Sequence, residues 1–89
     1  MRVRVRLLGS LRPTLAGREL ELELPIGSDA STLIKHITEK YPQLVGMLDV
    51  SSSGILIMLG GVEVGNLQGL ETPLSDGSEV VFVPVTHGG

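Results

Sequence analysis

The chain has no cysteine and no tryptophan, and one tyrosine and one phenylalanine among its 89 residues. Without cysteine there is no disulfide, no thiolate metal site and no cysteine nucleophile, and the cysteine count says nothing about compartment. With so few aromatics, the core must be built from Leu, Ile, Val and Met. Excess basic charge is lacking too, since the formal net charge is −3. A nucleic-acid binder normally shows a basic face and stacking aromatics, so direct nucleic-acid contact is not expected. No run approaches the ~20 apolar residues of a membrane span, and the arginine-rich start is not followed by a long apolar region and cleavage site. The expectation is one soluble, cytoplasmic domain without membrane attachment and with a modest core.

What is present is strongly patterned. Residues 1–8 read MRVRVRLL, with Val3, Val5 and Leu7 on one face and Arg2, Arg4 and Arg6 on the other. Period two predicts a half-buried strand. Residues 9–17, with Pro13 and two glycines, form the turn. Residues 18–24 read RELELEL, placing Leu20, Leu22 and Leu24 inward and Glu19, Glu21 and Glu23 outward. The two strands should pair as an antiparallel hairpin that sets three Arg against three Glu. Such cross-strand pairs contribute about 0.2–1 kcal/mol each and chiefly help fix register.

Pro25-Ile26-Gly27-Ser28 ends that strand, and Asp29 is positioned as a helix N-cap. Ala30, Leu33, Ile34, Ile37 and Tyr41 then recur at helical spacing, while Lys35, His36, Glu39 and Lys40 fall on the solvated side. Pro42 stops the helix. His36 has no second ligand at metal spacing and reads as a surface residue. Residues 43–54 are a loop from which Leu44, Val45, Met47 and Leu48 should cover one end of the core. Residues 55–59 are a continuous apolar run, which implies a strand covered on both faces. Gly60-Gly61 signals a two-residue hairpin leading to a short strand at 62–64. A phosphate-binding loop is excluded there, because no Lys-Ser/Thr follows and no helix opens. After a connection at 65–74 and a tight turn at 75–78, residues 79–85 (EVVFVPV) form the last strand, with Pro84 where pairing should end.

One helix can cover one face of a small sheet. If the strands at 55–59 and 79–85 are neighbours, the open face carries an aliphatic patch, and such patches mark interfaces. With Phe82 inward, alternation puts Val81, Val83 and Val85 on this partner interface; a register slip would swap the faces. The alternative is that segments 43–53 and 65–74 fold over the patch. Beyond residues 1–85, read as the folded domain, residues 86–89 form a short flexible tail. At about 3.3 Å per extended residue it projects roughly 13 Å. Its two glycines let the backbone enter a narrow slot. The chain shows no nucleophile–base pair, no paired carboxylates and no metal cluster, so it is not expected to be an enzyme itself. Lys35 and Lys40 are the only lysines, so any linkage of the chain to itself through a side-chain amine must use one of them.

The order of elements, the helix start at 25–29, the run Leu74-Ser75-Asp76-Gly77-Ser78-Glu79-Val80 and the final Gly88-Gly89 resemble the ubiquitin-like β-grasp sulfur carriers. This group includes MoaD, ThiS and the ubiquitin-related modifiers, and the resemblance covers essentially the whole chain. The ending Thr86-His87-Gly88-Gly89 is similar to the ubiquitin-related modifier branch, which typically ends His-Gly-Gly. Gly60 stands where MoaD proteins usually show Asn, Ser78 replaces a common Asp, and the 65–70 connection is longer than in bacterial MoaD.

The resemblance implies an α+β, ubiquitin-like β-grasp fold, a mixed sheet of four to five strands packed on one helix. It also implies an adenylating partner that spends ATP to activate the Gly89 carboxylate, and a sulfur donor that converts it to a thiocarboxylate. The sulfur would pass to tRNA through a thiolating enzyme, or the terminus would join lysines of target proteins. The MoaD-like alternative is delivery to a pterin precursor of the molybdenum or tungsten cofactor, as the small subunit of molybdopterin synthase. A second alternative is a docking module with an inert tail. In the carrier reading Gly88 threads the partner's slot beside Gly89, Thr86 and His87 are recognised, and the chain stably binds no cofactor of its own.

Overall fold

Strict alternation at the start of the chain leaves it one stable option, a strand with one dry and one wet face. The computed structural model describes residues 1–9, 11, 19–46, 48 and 54–85. In it β1 (Arg2–Leu7) buries Val3, Val5 and Leu7 and exposes Arg2, Arg4 and Arg6. β2 (Leu20–Glu23) buries Leu20 and Leu22 and pairs antiparallel with β1, setting Arg2 opposite Glu23 and Arg4 opposite Glu21. The turn expected between them falls largely outside the described residues.

Two of the three expected arginine–glutamate pairs form, Arg2–Glu23 at 3.3 Å and Arg6–Glu19 at 3.9 Å. Arg4 instead reaches Glu79 at 3.7 Å. The reason is topological: β5 (Glu79–Pro84) lies parallel on the other side of β1 and sets Glu79 beside Arg4. A hairpin considered alone has no third strand to offer that carboxylate.

Asp29 begins the helix as its residue type dictates. Its side chain accepts from the Thr32 amide at 2.9 Å, and α1 (Ala30–Lys40) follows, burying Ala30, Leu33 and Ile37. The Tyr41 amide closes the last turn on the Ile37 carbonyl at 2.8 Å. Pro42 then opens a single 3-10 turn, Pro42–Leu44. Leu44 and Leu48 are buried, but Val45 is 62% exposed and does not join the core. The Leu48 amide donates to the Leu44 carbonyl at 3.1 Å. That bond aligns residues 44 and 48 on one side and turns Val45 to the other. Met47 lies outside the described residues.

β3 (Ile55–Leu59) and β4 (Val62–Glu63) are joined through Gly60 and Gly61 at φ +57° and +82°. Two consecutive left-handed residues are what a primed hairpin turn requires. β4 stops one residue earlier than expected because Val64 turns into the core and starts a 3-10 turn, Val64–Asn66. The strand order is β2-β1-β5-β3-β4, with β1 and β5 parallel and the other pairs antiparallel. This is a mixed five-stranded sheet with one helix on its inner face, the α+β architecture of the β-grasp fold. Phe82, the sole phenylalanine, is fully buried with Val3, Val5, Val80, Leu33 and Ile37.

The expectation that β3 is covered on both faces does not hold. Ile57 is buried, whereas Leu56 is 39% exposed. A single helix shields only the inner face, and the described parts of segments 43–53 and 65–74 pack on that same side. There the Ala30 amide donates to the Thr72 carbonyl at 3.1 Å and the Leu74 amide to the Ser28 carbonyl at 3.0 Å. The β5–β3 pairing does end at Pro84, opposite Ile55, as expected, one residue short of the strand end read at 85. The next residue supplies the donor that proline lacks, the Val85 amide reaching the Gly54 carbonyl at 2.9 Å.

Candidate functional site

The candidate site is the open face of the sheet where β5 lies between β1 and β3. Neighbouring residues on paired strands point the same way, so register decides what meets there. Met58 stands opposite Val81 and Leu56 opposite Val83. Because Ile57, Val80 and Phe82 point to the core, these four residues form an aliphatic strip on the outer face. Val81 and Val83 are half-buried by their neighbours, and so is Val85.

The strip has charged borders. On the β1 side stand Arg6, beside Val81 and paired with Glu19, and then Arg4 with Glu79. On the β4 side Glu63 is the partner of Met58. An apolar centre with a polar rim is the anatomy of a protein-docking surface. Leu56 and Met58 were not singled out from the sequence. Alternation about Ile57 would have found them, but a continuous apolar run hides alternation.

The β5–β3 ladder also fixes where the chain leaves the sheet. The Val85 amide is held by Gly54, directly before β3. Thr86, His87, Gly88 and Gly89 lie outside the described residues. Lys35 and Lys40 are exposed on α1, in the layer on the other side of the sheet from the strip. The Lys40 ammonium sits 5.8 Å from the centre of the Tyr41 ring, within cation–π range. The structure therefore does not bring the lysines to the strip.

The helix cap carries a displaced pKa. The Asp29 carboxyl is held below its ordinary value, first by the Ser31 hydroxyl and then by the Thr32 amide. Both donate to the charged form, so the cause is structural rather than catalytic. His36 Nδ1 lies 2.9 Å from the Thr32 carbonyl, one turn back on its own helix. Among the described residues no group of three or more His, Asp or Glu side chains could hold a metal ion, and no helix is long and apolar enough to cross a membrane.

Two of the surface hollows among the described residues lie elsewhere. One, of about 700 Å³, is lined by Arg2, Arg4, Glu21, Glu23 and Asp76, with Arg2 paired to Glu23 and the Arg2 backbone amide donating to Asp76. The other, of about 460 Å³, runs between α1 and the following loop past Ile34, Thr38, Val45, Leu48 and Leu70.

Residues 5–89 match the ThiS family model. The chain thus belongs to the ThiS family, within the ubiquitin-like sulfur carriers and modifiers. Among solved structures it is similar to small archaeal modifier protein 1 from Methanosarcina acetivorans, with 31% identity, a TM-score of 0.81 and coverage of 99% of this chain and 96% of that one. Urm1 from Trypanosoma brucei shows 22% identity and a TM-score of 0.73, covering 99% and 95%. A chain of the Amycolatopsis orientalis BexX/CysO complex shows 21% identity and a TM-score of 0.77, covering 98% and 99%. The last two likenesses speak to the fold alone. The comparison with curated proteins returned no match.

Proposed function

We infer that this chain is a cytoplasmic sulfur carrier and protein modifier that is activated at Gly89 and docks through its open sheet face. The observation that carries the reading is the continuity of site and tail. β5 contributes Val81 and Val83 to the exposed strip and hands the chain on at Val85, while the family match runs through Gly89. A partner seated on the strip receives the segment Thr86-His87-Gly88-Gly89 at a defined place, held by surface contact and processed at its end.

The chemistry belongs to that partner. A carboxylate is a poor electrophile and needs activation before a nucleophile attacks it. In the proposed sequence a Gly89 carboxylate oxygen attacks the α-phosphorus of ATP, and pyrophosphate leaves. Hydrosulfide from the donor then attacks the acyl-adenylate carbonyl, a carbon–sulfur bond forms as the bond to AMP breaks, and loss of the sulfur-bound proton to water leaves the thiocarboxylate. Alternatively a target lysine amine attacks the activated carbonyl and forms an isopeptide bond. Val81, Val83 and Val85 supply affinity, Thr86 and His87 the recognised neck, and Gly88 the freedom to enter a slot without a side chain.

tRNA thiolation is the favoured destination of the sulfur. The small archaeal modifier, the relative at 31% identity, supports the modifier role. The test incubates the chain with an adenylating enzyme, ATP and sulfide, followed by one arm of tRNA with a thiolating enzyme and one of pterin precursor with the large subunit of molybdopterin synthase. Loss of thiocarboxylate only in the tRNA arm supports the reading; loss only in the pterin arm moves the chain to the MoaD-like role.

A further inference from the structure

We propose that Gly9 and Pro84 form a steric clamp that sets the heading of the tail, making Gly9 a positioning residue for activation of Gly89. The proposal rests on the carrier reading above. It starts from an anomaly in the sheet. β5 is flanked by β1 and β3, yet its last residue is a proline, which forfeits a ladder donor and is rare in central strands.

The surroundings of Pro84 explain how it is tolerated. The parallel register that sets Leu7 beside Phe82 brings Gly9 beside Pro84 two residues on. Just past β1 the Leu8 amide donates to the Phe82 carbonyl at 3.1 Å, and the Leu11 amide turns back to the Leu8 carbonyl at 3.1 Å. Gly9 sits in this turn at φ +57°, where its Cα faces the proline ring. A Cβ built on Gly9 would lie 2.8 Å from Pro84 Cγ and 3.4 Å from Cδ. The ring is rigid and cannot rotate aside as a flexible side chain would. Glycine is needed here twice over, for the backbone angle and for the space.

On its other flank Pro84 is paired with Ile55, and Val85 is tied to Gly54 at 2.9 Å. Proline fixes its own φ near −65°. Held between Gly9 and β3, it sends Val85 toward β3 and away from β1. The remaining four residues reach at most about 13 Å, so the point at which the fold releases the chain bounds where Gly89 can be delivered. Reacting groups misplaced by about 1 Å can lose on the order of a hundredfold in rate.

The experiment uses the full chain as Gly9→Ala, Pro84→Ala and the double variant. It reads adenylation by pyrophosphate exchange and the hydrogen exchange of single amides. Gly9→Ala is expected to lower kcat by about ten- to a hundredfold with KM little changed, because Leu56, Met58, Val81 and Val83 of the docking strip are untouched. The Val85 amide should exchange faster while Val5 and Ile57 keep their protection. In a Pro84→Ala background the colliding ring atoms are gone, so adding Gly9→Ala should cost little more. Unchanged kcat in Gly9→Ala, or losses that multiply in the double variant, would overturn the clamp. So would equal loss of protection at Val5, Ile57 and Val85, which marks a merely structural glycine. Should Gly9→Ala fail to fold, Pro84→Ala alone decides: a faster-exchanging Val85 and lower kcat at constant KM support the clamp, and wild-type values refute it. If the wild-type chain itself is not adenylated, the carrier reading fails, and Val85 exchange in the variants judges the clamp separately.

Discussion

Removing the Asp29 side chain tests how the helix is anchored to the sheet. Asp29 Oδ1 accepts from the Thr32 amide at 2.9 Å, the Ser31 hydroxyl at 2.6 Å and the Thr32 hydroxyl at 3.0 Å. Asp29→Ala deletes all three bonds and leaves the Thr32 amide without its cap. Loss of an N-cap costs about 1–2 kcal/mol. For a domain of this size each kcal/mol shifts Tm by about 4–8 °C, so a fall of about 4–16 °C is expected. Asp29→Asn retains an acceptor but not the charge that the lowered carboxyl pKa shows the fold to favour, so it should recover only part of the loss.

The pH dependence separates the charged cap from a general loss of packing. The Asp29 carboxyl titrates below its ordinary 3.8 in the fold because its hydrogen bonds favour the charged form. Its contribution is therefore fully present above the unfolded value and is lost as pH falls through the lower, folded value. Urea titrations at neutral pH and at several values below 3.8 should show the gap between wild type and Asp29→Ala narrowing as acid is added. A gap that stays constant into acid, or no gap at neutral pH, would refute the capping argument.

Other expected outcomes are checked more briefly. Leu56→Asp should weaken docking of the adenylating partner at least about tenfold by calorimetry, since central apolar contacts dominate such interfaces, while Tm changes little because the side chain is already exposed. Phe82→Ala should cost about 3–5 kcal/mol, a large share of the roughly 4–13 kcal/mol expected of a domain this long, and a urea midpoint shift will show it. Gly61→Ala, forced to keep φ +82°, should lose about 1–2 kcal/mol in the same assay. Arg4→Ala removes an exposed pair and should cost under about 1 kcal/mol, less in high salt.

How far the fold was legible depended on whether the signal was local. β1, β2 and α1 announce themselves by period, Asp29 and Pro42 by backbone chemistry, and Gly60-Gly61 by a turn that only left-handed residues can make. Contacts between segments distant in sequence left no such mark. Arg4 met Glu79 rather than Glu21 because β5 joined β1 in parallel. Val45 was read as core because hydrophobicity alone cannot say which way a 3-10 turn directs it. The run at 55–59 implied cover on both faces, yet one helix could shield only one. In the same way, Leu56 and Met58 became visible as the neighbours of Val83 and Val81 only once the strand order was known. The place of Gly9 beside Pro84 was not legible at all, since the two positions are far apart in the chain and neither carries a polar signal.

The most direct measurement is intact mass after incubation with an adenylating enzyme, ATP and sulfide, run alongside a chain lacking Gly89. The expected result is the gain of one oxygen-to-sulfur exchange in the full chain and none in the truncated one. No gain, with an enzyme that demonstrably charges another carrier, would contradict activation at Gly89 and leave a domain that docks through its sheet face without being processed.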